Sequence, residues 1–322
     1  MRRRSLMADR SSVPPGMGLP DVSLRRRSAP ASMSIHAPRW SHALFVAPYL
    51  TFFATLLVFP LIWGIWLSFH KADMFSSGRF VGFDNYLRLF RDTVFIQSIW
   101  NTFYFVALTV PTLAVLGLFL ALALNRQTRT AAVLRTLFFA SSVLSVTIVT
   151  LVWRIVFIPQ VGLLATIFGW FGATAPAALS DPDLAMIAIA IATVWWCLGL
   201  PMMLFLSALQ QIPGDIYEAA ALDNASRWRT LTAITLPSIK RTFLLVIIIQ
   251  IVLQFQLFGQ ALLMTRGGPN NATRPIVLYI YEVTFRRWDL GLGAAASEIL
   301  FILILLAAMA QYLITRRKGD AA

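Results

Sequence analysis

Cysteine, lysine and histidine are nearly missing from this chain of 322 residues. Its one cysteine, Cys197, lies inside an apolar run, which excludes an intrachain disulfide and a thiolate metal cluster and leaves it as a small packing residue. The only lysines are Lys71, Lys240 and Lys318, and none follows a glycine. A phosphate-cradling Gly-Lys-Ser/Thr loop is therefore absent, and any ATP-driven work needs an engine on another subunit. His36, His42 and His70 stand in the N-terminal tail or beside the first apolar run, with no partner at ligand spacing. No catalytic constellation and no metal set emerges, so the chain does not read as an enzyme.

What is abundant is apolar surface: 58% of residues are hydrophobic and the mean hydropathy is +0.72. That composition describes a polytopic membrane protein. Six segments are long enough to cross a hydrocarbon core that needs about 20 helical residues. They lie near 44–69, 98–124, 134–157, 184–208, 241–264 and 292–314. The first is longer than a signal-peptide core and lacks a small-residue cleavage site, so it is expected to stay as a span. The net charge of +13 would suit nucleic acid, but where the charge sits favours topology instead. Eight basic residues fall before the first span, three in 125–136, four in 209–241 and three at the C-terminus, 18 in all. The alternate connections carry four, none and four. Eighteen against eight puts both termini on the cytoplasmic side of a prokaryotic inner membrane.

Residues 1–41 hold two RRR runs among Pro, Ser and Gly, and read as a solvated, basic, disordered tail in which Met33 offers a second start. Residues 42–315 form the membrane domain, and 316–322 a short cytoplasmic tail. The first outer connection contains FVGFDNYLRLF, with Phe83, Tyr86, Leu87 and Phe90 at the spacing of an interfacial helix. The second, PQVGLLATIFGWFG, reads as a re-entrant or surface helix. The third carries the turn-forming TRGGPNNAT and then a helical stretch from Pro275 to Trp288.

Between the fourth and fifth spans lies a polar stretch, Pro213 to Pro237. Asp215 is placed to cap a short helix that includes Glu218 and the low-bulk run Ala219, Ala220 and Ala221. Asn224 supplies a turn, since asparagine enters the left-handed region at modest cost. Ser226 caps a second helix with Arg227 and Arg229, and Leu236-Pro237 is expected to break the chain before the fifth span. The product is a helix-turn-helix elbow.

The order Glu218-Ala219-Ala220, three residues, position 224, nine residues, Ile234, one residue, Leu236-Pro237 resembles the EAA loop of ABC-importer permeases. Asn224 stands where that family usually has glycine, and both tolerate positive φ. YEAAALDNAS, ITLP, the F-x-G-x-x-N-Y segment and the T-x-GGP loop look most like the carbohydrate-uptake branch, of the maltose and glycerol-3-phosphate type. The resemblance covers roughly 42–315. It implies an all-α permease of six spans that pairs with a second homologous permease, two cytoplasmic ATPase subunits and an extracytoplasmic solute-binding protein. ATP and Mg would bind on the ATPase subunits, and this chain would bind no cofactor. The resemblance also implies that Glu218, Ala219, Ala220, Asp223, Asn224, Ala225 and Arg227 contact the ATPase. Counting back from Thr265, the polar sugar-contacting positions four apart in that branch fall on Gln250 and Gln254.

Residue chemistry points to the same interior. Gln250 and Gln254 share a helical face, Gln256 and Gln260 another, and polar side chains within spans are costly enough to suggest function. In WWCLGLPMM, Gly199 and Pro201 mark a helix break, with Trp195 suited to stacking on a pyranose and Met202 on the same side. Leu257 is a further path position. Glu298, the single acid inside the spans, suits the outer vestibule, while Arg154 sits near the outer end of the third span and can snorkel. Glutamines without cations favour a neutral sugar over glycerol 3-phosphate or its diesters. A stand-alone secondary transporter would need inverted repeats and embedded ion sites, and a non-transporting scaffold would not need broken polar helices.

Overall fold

The computed structural model describes residues 39–73, 76 and 78–319. The basic tail over 1–38 lies outside the described residues. Two compact units are distinguished, residues 1–54 and 55–322. In the first, α1 (Arg39–Phe53) contains Pro48 and stacks Tyr49 on Phe53, rings 6.1 Å apart.

The second unit is built from helices, and among the described residues a two-residue ribbon alone pairs His70–Lys71 (β1) with Arg79–Phe80 (β2), antiparallel. After α2 (Phe59–Ser68), the ribbon leads into α3 (Asp84–Arg91) and the long α4 (Thr93–Leu124). At 1.5 Å per residue α4 is about 48 Å long, so it overshoots a hydrocarbon core of about 30 Å. Next come α5 (Arg129–Ser141), α6 (Val146–Val156), α7 (Leu163–Trp170), α8 (Ala185–Cys197) and α9 (Gly199–Gln210). The elbow follows as α10 (Gly214–Leu222), α11 (Arg227–Thr230), a π turn (Leu231–Thr235) and α12 (Leu236–Ser238). The chain ends with α13 (Lys240–Gln254), α14 (Gly259–Met264), α15 (Ile276–Tyr281) and α16 (Leu290–Gly319).

Val46–Ser68, Thr93–Leu124 and Leu290–Leu313 are each long and apolar enough to cross a membrane alone. Three bent helix pairs would bring the number to six by length and composition. Large apolar side chains stand exposed around the outside, among them Leu56 at 71% and Phe119 at 65%. Such a surface suits lipid rather than water. Inside, α4 packs against α8, α9 and α13. One core gathers Phe205, Leu206, Met202 and Val246, another Phe105, Ile189, Leu257 and Ala261.

Besides the 184–208 span, which divides at the expected Gly199 break, two further expected spans are not single helices. Residues 134–157 divide into α5 and α6 at 98°, because serines compete for the backbone there. Ser141 Oγ donates to the Phe138 carbonyl at 2.8 Å and Ser145 Oγ caps the Ile148 amide at 3.4 Å. The span expected over 241–264 stops at Gln254, and Phe258 at φ −145°, ψ −66° turns the chain into α14. Gln256 Nε2 bonds back to the Val252 carbonyl at 3.1 Å. Gln256 and Gln260 therefore do not share one helix face. α16 runs on through Gly319, into the stretch read as the tail.

The connection after α2 forms the short helix expected there, with its apolar face left exposed as an interfacial helix requires. In α3 the buried residues are Asn85 and Leu89, while Phe83, Leu87 and Phe90 point outward. Asn85 explains the motif: its Nδ2 donates to the Ser68 carbonyl at 2.8 Å and the His70 carbonyl at 3.0 Å. Gly82, at φ 56°, supplies the turn that brings it there. On the same side, Asn101 Nδ2 donates to the Asn271 and Arg274 carbonyls at 2.7 and 3.0 Å. Asp92 caps α4 through the Val94 amide at 2.8 Å and accepts the Tyr279 hydroxyl at 2.7 Å. Burial and that carboxylate push the Tyr279 phenol above its usual range. Asp92→Ala removes a cap and a charged hydrogen bond, an expected loss of about 2–4 kcal/mol. A lowered thermal midpoint of the purified chain would show it.

Candidate functional site

Two places concentrate chemistry. The first is the elbow. α10 begins at Gly214 behind Pro213, with no side-chain cap, so Asp215 does not cap it as the sequence suggested. Proline already fixes an extended entry (φ −58°, ψ 137°), and Asp215 sits inside the first turn, where it favours the helix dipole instead. The other end is a Schellman turn: Asn224 at φ 51°, its amide on the Ala221 carbonyl at 3.1 Å, and the Ala225 amide on the Ala220 carbonyl at 2.9 Å. Ser226 Oγ then accepts the Arg229 amide at 3.2 Å and starts α11.

The expected break before the fifth span comes two residues past Leu236-Pro237. The helix passes through that pair by widening into the π turn at Leu231–Thr235, and bends by 63° at Ile239. A π turn upstream absorbs the misfit of a proline within helical geometry. Tyr217 Oη and Thr235 Oγ1 meet at 3.2 Å and tie the two arms of the elbow together. Glu218, Ala219, Asp223 and Asn224 are exposed, Ala220 is buried, and Arg227 is exposed. Leu222 and Trp228 are 83% and 72% exposed. Between the arms lies a concavity of about 720 Å³ walled by Ala219, Ala220 and Ala225, with Asp215, Asp223 and Arg229 among its other lining residues. It is a shaped, low-bulk notch with charge in its lining.

The second place is the interior around the α8–α9 bend of 44°. A Cβ on Gly199 would stand 2.6 Å from the Phe138 carbonyl oxygen and 2.7 Å from Ser142 Oγ, so only glycine lets α9 approach α5 this closely. Ser142 Oγ donates to the Trp196 carbonyl at 3.0 Å, and Trp196 Nε1 donates to the Leu144 carbonyl at 3.0 Å. The two bent helix pairs thus brace each other. Facing this, Gln250 and Gln254 are buried and joined, Gln254 Nε2 donating to Gln250 Oε1 at 3.1 Å. The Gln250 Nε2 is buried with no partner. Burying an amide donor unpaired costs about 1–3 kcal/mol, so the position carries a donor that the fold itself does not use.

A family described as binding-protein-dependent transport system inner membrane component matches residues 94–320. The chain belongs to this family. The permease is 30% identical to a probable ABC transporter permease of Pyrococcus horikoshii, over 86% of this chain and 96% of that one. It is 32% identical to the trehalose/maltose transport system permease MalF of Thermococcus litoralis, covering 81% and 89%. It is 29% identical to the sn-glycerol-3-phosphate transport system permease UgpA of Salmonella typhimurium, covering 88% and 96%. A crystal structure of a bacterial alginate ABC transporter with its pentasaccharide-bound periplasmic protein shares the fold, with a TM-score of 0.77 at 23% identity over 86% and 94% of the two chains.

Within the permease, Gln250 and Gln254 are together, whereas the other interior residues singled out by sequence are dispersed. Trp195 is 44% exposed and meets Trp153 edge to face at 5.9 Å. Met202 is fully buried beyond the bend, in the core with Phe205 and Val246. Leu257 is buried among Ile189 and Ala261. Glu298 lies part-buried on α16, beside Gly64 of α2. Gln260, buried in α14, donates to Thr193 Oγ1 at 3.4 Å and cross-links α14 to α8. Sequence reasoning missed the Gln260–Thr193 cross-link, since the two residues lie 67 positions apart.

Proposed function

We propose that this permease forms, with a second homologous permease, the translocation path for a sugar delivered by an extracytoplasmic solute-binding protein. Two ATPase subunits drive it, holding ATP and Mg, while this chain binds no cofactor and hydrolyses nothing. Six spans cross the inner membrane with both termini in the cytoplasm. The elbow, through Glu218, Ala219, Ala220, Asp223, Asn224, Ala225 and Arg227, seats on an ATPase subunit. Its rigid link to α9 and α13 turns closure of the ATPase pair into reorientation of those helices.

The observation that carries the sugar reading is the unpaired Gln250 amide beside Gln254, with no Lys or Arg among the buried polar side chains of the described residues. Neutral hydroxyls are what paired amides recognise, whereas a phosphate calls for Arg or Lys. Trp195 offers a stacking face, Gly199 and Met202 shape the bend, and Leu257 and Glu298 border the outer part of the path. Glycerol 3-phosphate is the second reading, favoured by the 29% identity to a permease of that name. ATPase activity of the complex in lipid, with the binding protein and a panel of sugars and glycerol 3-phosphate, tests both. Stimulation by one loaded binding protein is expected. Uptake that follows a proton or sodium gradient with no ATPase subunit present would overturn the importer reading.

A further inference from the structure

A cavity of about 790 Å³ opens where the α4–α5 turn meets the end of α9. Arg126, Arg129 and Arg135 line it and no acid does. Neither ion pair formed among the described residues involves these arginines. Arg135 is held in place, its Nε donating to the Ala131 carbonyl at 3.2 Å and an Nη to the Arg126 carbonyl at 3.4 Å. Arg126 and Arg129 are exposed. The first turn of the 13-residue α5 adds its own positive end to the same spot. Three arginines lining one cavity at a helix start make a site for a phosphate.

The neighbouring surface says what carries that phosphate. Val133 and Leu137, one and two turns beyond Arg129 on the same stripe of α5, are 58% and 62% exposed. Apolar side chains running away from a basic cavity match a headgroup followed by acyl chains. We propose that this cavity holds the headgroup of an anionic phospholipid, its phosphate on Arg126, Arg129 and Arg135 and its chains along Val133 and Leu137. Tyr217 of α10 lines the same cavity, so the bound lipid bears directly on the elbow. The proposal stands whatever solute the permease carries.

The test is native mass spectrometry of the permease with its partner subunits in detergent, titrated with phosphatidylglycerol, phosphatidylcholine and inorganic phosphate. Phosphatidylglycerol is expected to bind in preference to phosphatidylcholine, and phosphate at the same concentration to leave it bound. The double variant Arg126→Gln/Arg129→Gln should bind it about 30-fold more weakly. Arg126→Lys/Arg129→Lys, which keeps the charge, should restore most of that affinity. Both residues are exposed, so neither variant disturbs the core. Unchanged phosphatidylglycerol binding by the glutamine variant overturns the proposal, and so does displacement by phosphate. Loss of ATPase subunits from that variant with lipid binding intact would make the cavity a protein contact and overturn it equally.

Discussion

Glu218→Lys is expected to cut binding-protein-stimulated ATP hydrolysis and uptake by at least about 30-fold, because reversing a charge at a protein interface costs about 2–5 kcal/mol. The side chain makes this a clean test. Glu218 is exposed on α10, whereas its neighbour Ala220 packs inward. The turn that shapes the elbow is made by backbone bonds at Ala220, Ala221, Asn224 and Ala225, none of which involves the carboxylate. The clamp between the arms is the Tyr217–Thr235 contact. The variant should therefore insert and accumulate like the wild type, and lose only what depends on the ATPase subunit. Co-purification of that subunit, followed by hydrolysis and uptake in proteoliposomes, reads the effect. A variant that keeps full stimulated hydrolysis would remove Glu218 from the coupling surface.

How much of this was legible beforehand differs from place to place, for physical reasons. The elbow could be read because its signals are local. A residue tolerant of positive φ at 224 and a cap at Ser226 act within a few positions, and both are found in place. Asp215 misled because a proline at the cap position had already set the entry backbone. The bend between α8 and α9 could be read from Gly199 and Pro201. Its cause could not, since Gly199 is needed for contact with Phe138 and Ser142, about 60 positions away in sequence. Hydropathy likewise marked 134–157 and 241–264 as apolar without marking where they turn. Serine back-bonding and the Phe258 dihedral are conformational choices that an apolar average does not record. In α3 the period of Phe83, Leu87 and Phe90 marked the exposed apolar face, whereas the buried side is set by Asn85, whose two carbonyl partners lie 15 and 17 residues back and left no local signal.

The interior glutamines allow fold and function to be pulled apart. In Gln250→Leu/Gln254→Leu both members of a buried hydrogen bond leave together, along with a donor that had no partner. Removing both partners of a buried pair is close to neutral, and shedding an unpaired amide is worth about 1–3 kcal/mol. The double variant should thus be as stable as the wild type or more so. Uptake should move the other way, falling by about 100-fold if each amide gives a sugar hydroxyl one hydrogen bond of about 1.5 kcal/mol. The single variant Gln250→Leu separates the roles further, because it strands Gln254 Nε2 without its acceptor and should cost stability as well as transport. A thermal midpoint measured beside uptake decides the matter. If the pair existed to hold α13 against α8, stability and uptake would fall together in the double variant. If it is kept for the solute, the fold tightens while transport is lost, because that unpaired donor waits for a partner that arrives only with the cargo.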